Sequence, residues 1–372
     1  MLSPKINPQT PAPVIHFVPL KVRDIKKETA DCVSISFEIS TDQKEAFVFK
    51  QGQYLPIRTY INGEEVRRSY SICSSPLDNE LRIAVKNVEG GVFSQYANTL
   101  LQKGDVLDVM PPIGKFFTEL DEQHTKKYVA IAAGSGITPI ISIIKTTLLT
   151  EPNSQFLLVF GNKNRQSIIF KEEIEALKNR FINRFSVIHI LSRERTDTLL
   201  NFGRIDEAKC KVLFEKAIPV LHTDEFFICG PGEMIMTVKD TLEILGVERK
   251  RIHFELFTTT GLKKQTTSTN QSQKQSTTHK SKITIRRDGS AIDFDLAYDG
   301  ENLLDAALLH GVDLPYSCKS GVCCTCRAKL VEGQVDMEVN FGLEPEEIEQ
   351  GFILTCQSHP RTEKVVVDFD VK

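Results

Sequence analysis

A chain of 372 residues, 41% of them hydrophobic, is long enough for two or three domains with cores of their own. Its net charge of −3, with no basic stripe, argues against nucleic acid as a partner, and its longest apolar runs, Tyr128 to Ala133 and Phe156 to Phe160, are far too short to span a membrane. Nine cysteines behind a polar, proline-rich start without an apolar export core point to thiols and metal ligands rather than disulfides, and to the cytoplasm.

Residues 14–120 carry short alternating runs, Val33 to Ile39, Tyr54 to Ile61, Leu81 to Val88 and Val106 to Met110, broken by glycine, Asn-Gly and proline turns. That pattern predicts a small antiparallel barrel. Within it, Arg68-Ser69-Tyr70-Ser71 puts a cation and an aromatic ring on one face of a strand. A guanidinium can grip a phosphate while the ring stacks on a planar heterocycle. Gly90-Gly91-Val92-Phe93-Ser94 offers a glycine turn, a hydroxyl and helix-start amides for a second phosphate contact. The plain alternative is an exposed arginine beside a half-buried tyrosine.

Residues 126–257 alternate continuous apolar runs with amphipathic ones, which predicts a parallel sheet covered on both faces, with its ligand at the carboxyl ends of the strands. The run Tyr128 to Ala133 leads into Gly134-Ser135-Gly136-Ile137-Thr138-Pro139 and a helix through Leu149. Glycines there admit a pyrophosphate to the backbone, and Pro139 suits a first helical turn whose amide is expendable. A later strand ends in Cys229-Gly230-Pro231-Gly232, where glycines clear room for a flat ligand. An ordinary buried thiol is the competing reading of Cys229.

From Thr258 to Ser281 the chain is almost all Thr, Ser, Gln, Asn and Lys, with no acidic residue and one aliphatic residue, Leu262. Such a segment predicts a flexible linker whose ends lie roughly 25–30 Å apart as a coil. Residues 282–372 then carry Cys318, Cys323, Cys326 and Cys356, spaced C-x4-C-x2-C with the fourth thirty positions on. This is the plant-type arrangement of four thiolates around a [2Fe–2S] cluster, with an expected potential of roughly −400 mV. Structural zinc, the competitor, usually takes two separated C-x2–4-C pairs. Cys324, beside a ligand, is read as a small side chain in a tight spot, with ligand swapping as its alternative. The acidic run Glu344, Glu346, Glu347 and Glu349 is read as a solvated helix face or a docking patch for a basic partner.

The order R-x-Y-S, G-x-x-S, G-x-G-x-x-P and C-G-x-G over residues 14–257 resembles the ferredoxin–NADP reductase family, and the C-terminal segment resembles a plant-type ferredoxin. All three on one chain are similar to the reductase components that feed bacterial oxygenases. The supporting stretches include Arg68 to Ser74, Ala132 to Pro139, Leu314 to Cys318 and Leu354 to Gln357. The resemblance implies a multidomain protein: an antiparallel flavin-binding barrel, an α/β nicotinamide-binding domain with a parallel sheet, and an α+β β-grasp ferredoxin domain. It implies FAD, NADPH and a [2Fe–2S] cluster as cofactors and an oxygenase component, most specifically a di-iron one, as the protein partner.

Site residues follow from the same resemblance. Arg68 would hold the flavin phosphate with Ser69 beside it, Tyr70 would stack on the isoalloxazine, and Ser71 would sit near the flavin N5. Gly91, Val92 and Ser94 fall in the pyrophosphate turn, and Gly134, Gly136, Thr138 and Pro139 in the nicotinamide-dinucleotide turn. Cys229 and Gly230 would flank the nicotinamide, Glu255 would be the acidic group near Ser71 and Cys229, and Phe257 would cover the flavin where plant members usually carry tyrosine. Ser192 and Arg193 match the position of the 2′-phosphate, with Lys163 and Arg165 assisting; solvated loop charge is the alternative. Two other assignments stay open. One is an NADH-dependent FMN reductase of Rieske dioxygenases. The other is a ferredoxin-like carrier whose flavin domains have lost catalysis.

Overall fold

A computed structural model describes residues 16–257 and 279–371. Residues 17–257 form one compact unit and residues 279–371 another. Most of the proposed linker, 258–278, lies outside the described residues. Its last two positions, Lys280 and Ser281, stand instead in the first strand of the C-terminal unit. Ser281 is fully buried there, so the composition shift runs on into a folded strand.

The N-terminal unit opens with β1 (Val18–Thr29), β2 (Cys32–Glu38), β3 (Tyr54–Ile61), β4 (Glu64–Ser71), β5 (Leu81–Lys86), α1 (Val92–Thr99) and β6 (Val106–Val109). The strands form an antiparallel sheet in the order β4-β3-β6-β1-β2-β5. Ile72, just past β4, bridges to Ile83 of β5, so the two ends of the sheet meet and the barrel closes. Its inward positions, among them Leu20, Val22, Ile35, Leu55, Ile57, Ile83 and Val109, are buried in one core. β1 alternates cleanly only over Val18, Leu20 and Val22, and Asp24, at a register shift against β2, breaks the apolar pattern.

The chain continues as β7 (Lys127–Ala133), α2 (Ile137–Thr150), β8 (Gln155–Asn162), α3 (Lys171–Arg180), β9 (Phe185–Leu191), α4 (Glu207–Lys216), β10 (Glu225–Cys229), α5 (Gly232–Ile244) and β11 (Ile252–Glu255). All five strands run parallel in the order β11-β10-β7-β8-β9. The order reverses between β7 and β10, which makes the ends of those two strands the switch point where ligands of such sheets bind. In α2, Ile140, Ile141 and Ile144 are fully buried. Each such side chain stabilises the fold by about 1.5–3 kcal/mol before entropy is counted. Cys73, Ala84 and Phe116 from the barrel belong to the same core as this sheet, so the two parts share one apolar interior.

The C-terminal unit contains β12 (Lys280–Arg287), β13 (Ser290–Ala297), α6 (Leu303–Leu309), β14 (Arg327–Glu332), β15 (Val335–Met337), α7 (Pro345–Glu349), β16 (Phe352–Leu354), β17 (Ser358–Pro360) and β18 (Lys364–Asp368). Its mixed sheet runs β13-β12-β18-β14-β16, with β12 and β18 parallel, and α6 contributes Leu303, Leu304, Ala306 and Ala307 to the core beneath it. Asn302 caps α6 by accepting the Asp305 amide at 2.9 Å. Among the described residues no helix is long and apolar enough to cross a membrane.

Candidate functional site

Strand β4 sits at one end of the barrel sheet and pairs with β3, which sets Arg68 opposite Ile57 and Tyr70 opposite Leu55. Arg68 and Tyr70 share a face of the strand, and Ser69 and Ser71 share the other. Arg67 is ion-paired with Glu65 at 2.8 Å, whereas exposed Arg68 has no ion pair among the described residues. Its Nη1 donates only to the Arg67 carbonyl, at 2.7 Å. A cation left in this state suits a phosphate.

The Tyr70 ring lies 5.3 Å from the ring of Phe93, whose burial anchors the start of α1 to β4. Loss of water pushes the Tyr70 phenol above its ordinary range, so it remains a neutral ring. Gly91 is the N-cap of α1 and Val92 its exposed first residue. The Ser94 hydroxyl is committed within the turn: it donates to the Gly91 carbonyl at 3.1 Å and accepts from the Val88 amide at 3.1 Å. It shapes the turn, contrary to the expectation of a hydroxyl turned outward, and leaves the backbone amides as the groups on offer.

Ser71 ends β4, and its hydroxyl donates to Glu255 Oε2 at 3.0 Å. Glu255 ends β11, where the parallel register sets it beside Cys229 of β10. Removal from water pushes the Glu255 carboxyl up to about 8, and the Ser71 hydrogen bond pulls partly back. Cys229 is fully buried, and burial, with the Glu255 charge adding, holds its thiol well above the ordinary range. It is therefore a protonated, packed group and not a nucleophile. Phe257 follows at 39% exposure, two residues past the carboxylate.

The two glycines of the β7–α2 turn differ in what they do. Gly134 holds φ +55 with open space where a Cβ would stand. A Cβ on Gly136 would meet the Cys229 carbonyl oxygen at 2.1 Å, so its bareness serves the close approach of two chain segments rather than of a ligand. Thr138 is buried and donates to the Ser135 carbonyl at 3.0 Å, while Pro139 occupies the first turn of α2. Gly230 is likewise crowded, by Met234 and Ala133. Gly134, at the switch point, is the position where the backbone is open.

At the far end of the sheet, Ser192 and Arg193 leave β9 with their amides bonded to the carbonyls of Asn162 and Lys163, at 2.9 and 2.8 Å. Arg193 and Lys163 are exposed and have no ion pair among the described residues. Arg165 is engaged by Glu194 at 3.3 Å, which withdraws it from the cation set the sequence suggested.

In the C-terminal unit, Cys318, Cys323 and Cys326 lie on the loop between α6 and β14, and Cys356 in the turn after β16. Thr355 ties that turn to the loop, its amide and hydroxyl both donating to the Cys326 carbonyl at 3.2 and 3.0 Å. The thiols pair two by two. Cys323 donates to Cys318 Sγ at 3.1 Å, and Cys326 bonds Cys356. In each pair one thiol is pulled toward the thiolate by its partner, Cys318 to about 5 and Cys356 also downward.

Among the described residues no three His, Cys, Asp or Glu side chains are gathered to hold a single metal ion. Two thiols for each of two irons is the donor set of a [2Fe–2S] cluster, and these residues fit it. The Ser320 amide donates to Cys318 Sγ at 3.3 Å, and Thr325, one position before the ligand Cys326, is buried. Cys324 turns aside, its thiol donating to the Gly342 carbonyl at 2.6 Å.

Comparison with known proteins covers all of these regions. The Oxidoreductase FAD-binding domain matches residues 19–118, the Oxidoreductase NAD-binding domain residues 130–240, and the 2Fe-2S iron-sulfur cluster binding domain residues 285–361. The chain is 44% identical to one of the subunits of 1,2-phenylacetyl-CoA epoxidase from Escherichia coli (strain K12), over 96% of this chain and 98% of that one. It is 32% identical to the ferredoxin reductase component of 3-ketosteroid-9-alpha-monooxygenase from Rhodococcus rhodochrous, over 94% of this chain and 96% of that one. Phthalate dioxygenase reductase, a solved structure, has the same fold at a TM-score of 0.57 and 24% identity, covering 95% of this chain and 98% of that one.

Proposed function

Because the chain belongs to the family of oxygenase reductase components that join FAD-binding, NAD-binding and 2Fe-2S domains, we propose that it passes electrons from NADPH to the di-iron oxygenase of a phenylacetyl-CoA epoxidase. Its compartment is the cytoplasm, which keeps its nine cysteines reduced. The likeness to the Escherichia coli epoxidase component along nearly the whole of both chains supports the partner. The observation that carries the reductive half is the Ser71–Glu255 hydrogen bond, which joins the end of the flavin strand to the end of the parallel sheet.

The bound cofactors supply a hydride, its division into single electrons, and their onward transfer. The chain's residues supply position and charge. Arg68, with Ser69 beside it, binds the flavin phosphate together with the amides at Gly91 and Val92, while Ser94 shapes their turn. Tyr70 and Phe257 are the aromatic residues that would contact the flavin ring. The open turn at Gly134 and the start of α2, with Thr138 and Pro139, receive the dinucleotide pyrophosphate. Ser192 and Arg193, with Lys163, take the 2′-phosphate, a preference a fixed cation gives to NADPH. Cys229 and Gly230 would stand at the nicotinamide end of the site, and Glu255 would hold or release a proton beside Ser71. Cys318 with Cys323, and Cys326 with Cys356, would hold the two irons.

The experiment is anaerobic reduction by NADPH followed by mixing with di-iron and Rieske oxygenase components. Reoxidation by the di-iron component of an epoxidase is expected. Reoxidation by a Rieske component alone would overturn the partner.

A further inference from the structure

Just after Ser71 the chain runs through Ile72 to Ser75, and just after Gly136 it enters α2. Buried hydroxyls join these two segments. Ser142 is fully buried, and its hydroxyl donates to the Ser74 carbonyl at 2.6 Å. Thr146 donates to the Ser142 carbonyl one turn back, also at 2.6 Å. A hydroxyl has one proton, so Thr146 meets the Ser75 hydroxyl, 2.9 Å away, only as acceptor. Ser75 is fully buried and in turn accepts the Leu77 amide at 3.2 Å. At the edge of the cluster, Lys145 bridges Asp78 at 2.8 Å and Glu173 at 2.9 Å.

This network stands on a helix whose other buried positions are mostly apolar, Thr138 and Thr147 being the exceptions. Apolar side chains at 142 and 146 would bury as well without needing polar partners. They would also leave α2 held to the barrel segment by packing and the Lys145–Asp78 ion pair at its edge, which tolerate small slides. Hydrogen bonds to Ser74 and Ser75 admit a single register. The same helix begins at the glycine turn, and the same barrel segment begins at Ser71.

We propose that Ser142 and Thr146 are positioning residues that fix the glycine turn of α2 in register with Ser71, and so set the approach of nicotinamide to flavin. The proposal rests on the reading above, in which β4 carries the flavin and the glycine turn the dinucleotide. Hydride transfer is steep in distance, and a misplacement of about 1 Å can lower a rate by about a hundredfold.

The test uses the full-length protein loaded with FAD and cluster, with flavin content measured for every variant. Anaerobic stopped-flow reduction over a range of NADPH concentrations separates the limiting rate from the Kd. Ser142→Ala and Thr146→Val are each expected to lower the limiting rate by about tenfold with Kd nearly unchanged. Thr146→Ser, which keeps the hydroxyl, is expected to restore it. Reduction of the same flavin by dithionite, which needs no register, is expected to proceed as in the wild type. Limiting rates equal to wild type in both variants would overturn the proposal, as would a loss that merely follows lost flavin. If neither NADPH nor NADH bleaches the wild-type flavin, the underlying reading falls and takes the proposal with it.

Discussion

Ser71 and Glu255, 184 residues apart in sequence, meet through a 3.0 Å hydrogen bond from the serine hydroxyl to a carboxylate oxygen. The bond spans the barrel and the parallel sheet, and it places a half-buried carboxyl against a group able to steady its charge. The two influences oppose each other, and loss of water is the larger.

A pH dependence follows. The Glu255 carboxyl has an ordinary value of 4.5 and is raised to about 8 in the fold. Between those values the native chain keeps the proton and the unfolded chain has lost it. Stability from this group is therefore fully present below about pH 4.5, falls as pH rises, and levels off above about pH 8. Glu255→Gln, which cannot ionise, should flatten that part of the thermal unfolding profile between about pH 5 and about pH 9. Ser71→Ala should move the carboxyl higher still, since the lost hydrogen bond favoured the ionised form; titration by infrared difference spectroscopy reads the shift.

The two turn glycines should differ in tolerance. Gly134→Ala places an alanine at φ +55 in open space, at a cost of about 1–2 kcal/mol. Gly136→Ala drives a methyl into the Cys229 carbonyl and should cost more, about 3 kcal/mol or above, because neither backbone segment can yield. Denaturant unfolding of the two variants gives the comparison, and equal losses would contradict the packing role of Gly136.

Coenzyme preference should depend on Arg193 more than on Arg165. Arg193→Ala is expected to lower kcat/KM for NADPH by about tenfold or more while leaving NADH nearly unchanged, the worth of a charge-assisted hydrogen bond. Arg165→Ala should do less, because Glu194 already engages that cation. An NADH preference in the wild type that Arg193→Ala leaves unaltered would remove the NADPH assignment.

Much of this was legible in the sequence where a residue pattern maps onto one local geometry. The alternation in Arg68-Ser69-Tyr70-Ser71 led directly to β4, and the run Phe185 to Leu191 is β9 residue for residue. The spacing of Cys318, Cys323 and Cys326 put three thiols on one loop. Hidden features depend on chain segments far apart. Nothing local in Gly136 says that its missing Cβ makes room for the Cys229 carbonyl, and nothing in Ser94 says that its hydroxyl is turned inward. The hydroxyls of Ser142 and Ser75 read as ordinary small residues until α2 is laid against the barrel.

On the proposed function labour is divided, with reduction in the N-terminal unit and delivery through the four cysteines. Cys326→Ala in the full-length protein tests it most directly, with flavin bleaching by NADPH and electron delivery to the oxygenase measured side by side. Bleaching at the wild-type rate with delivery abolished is the predicted result. Equal loss of both, or delivery that survives without Cys326, would contradict it.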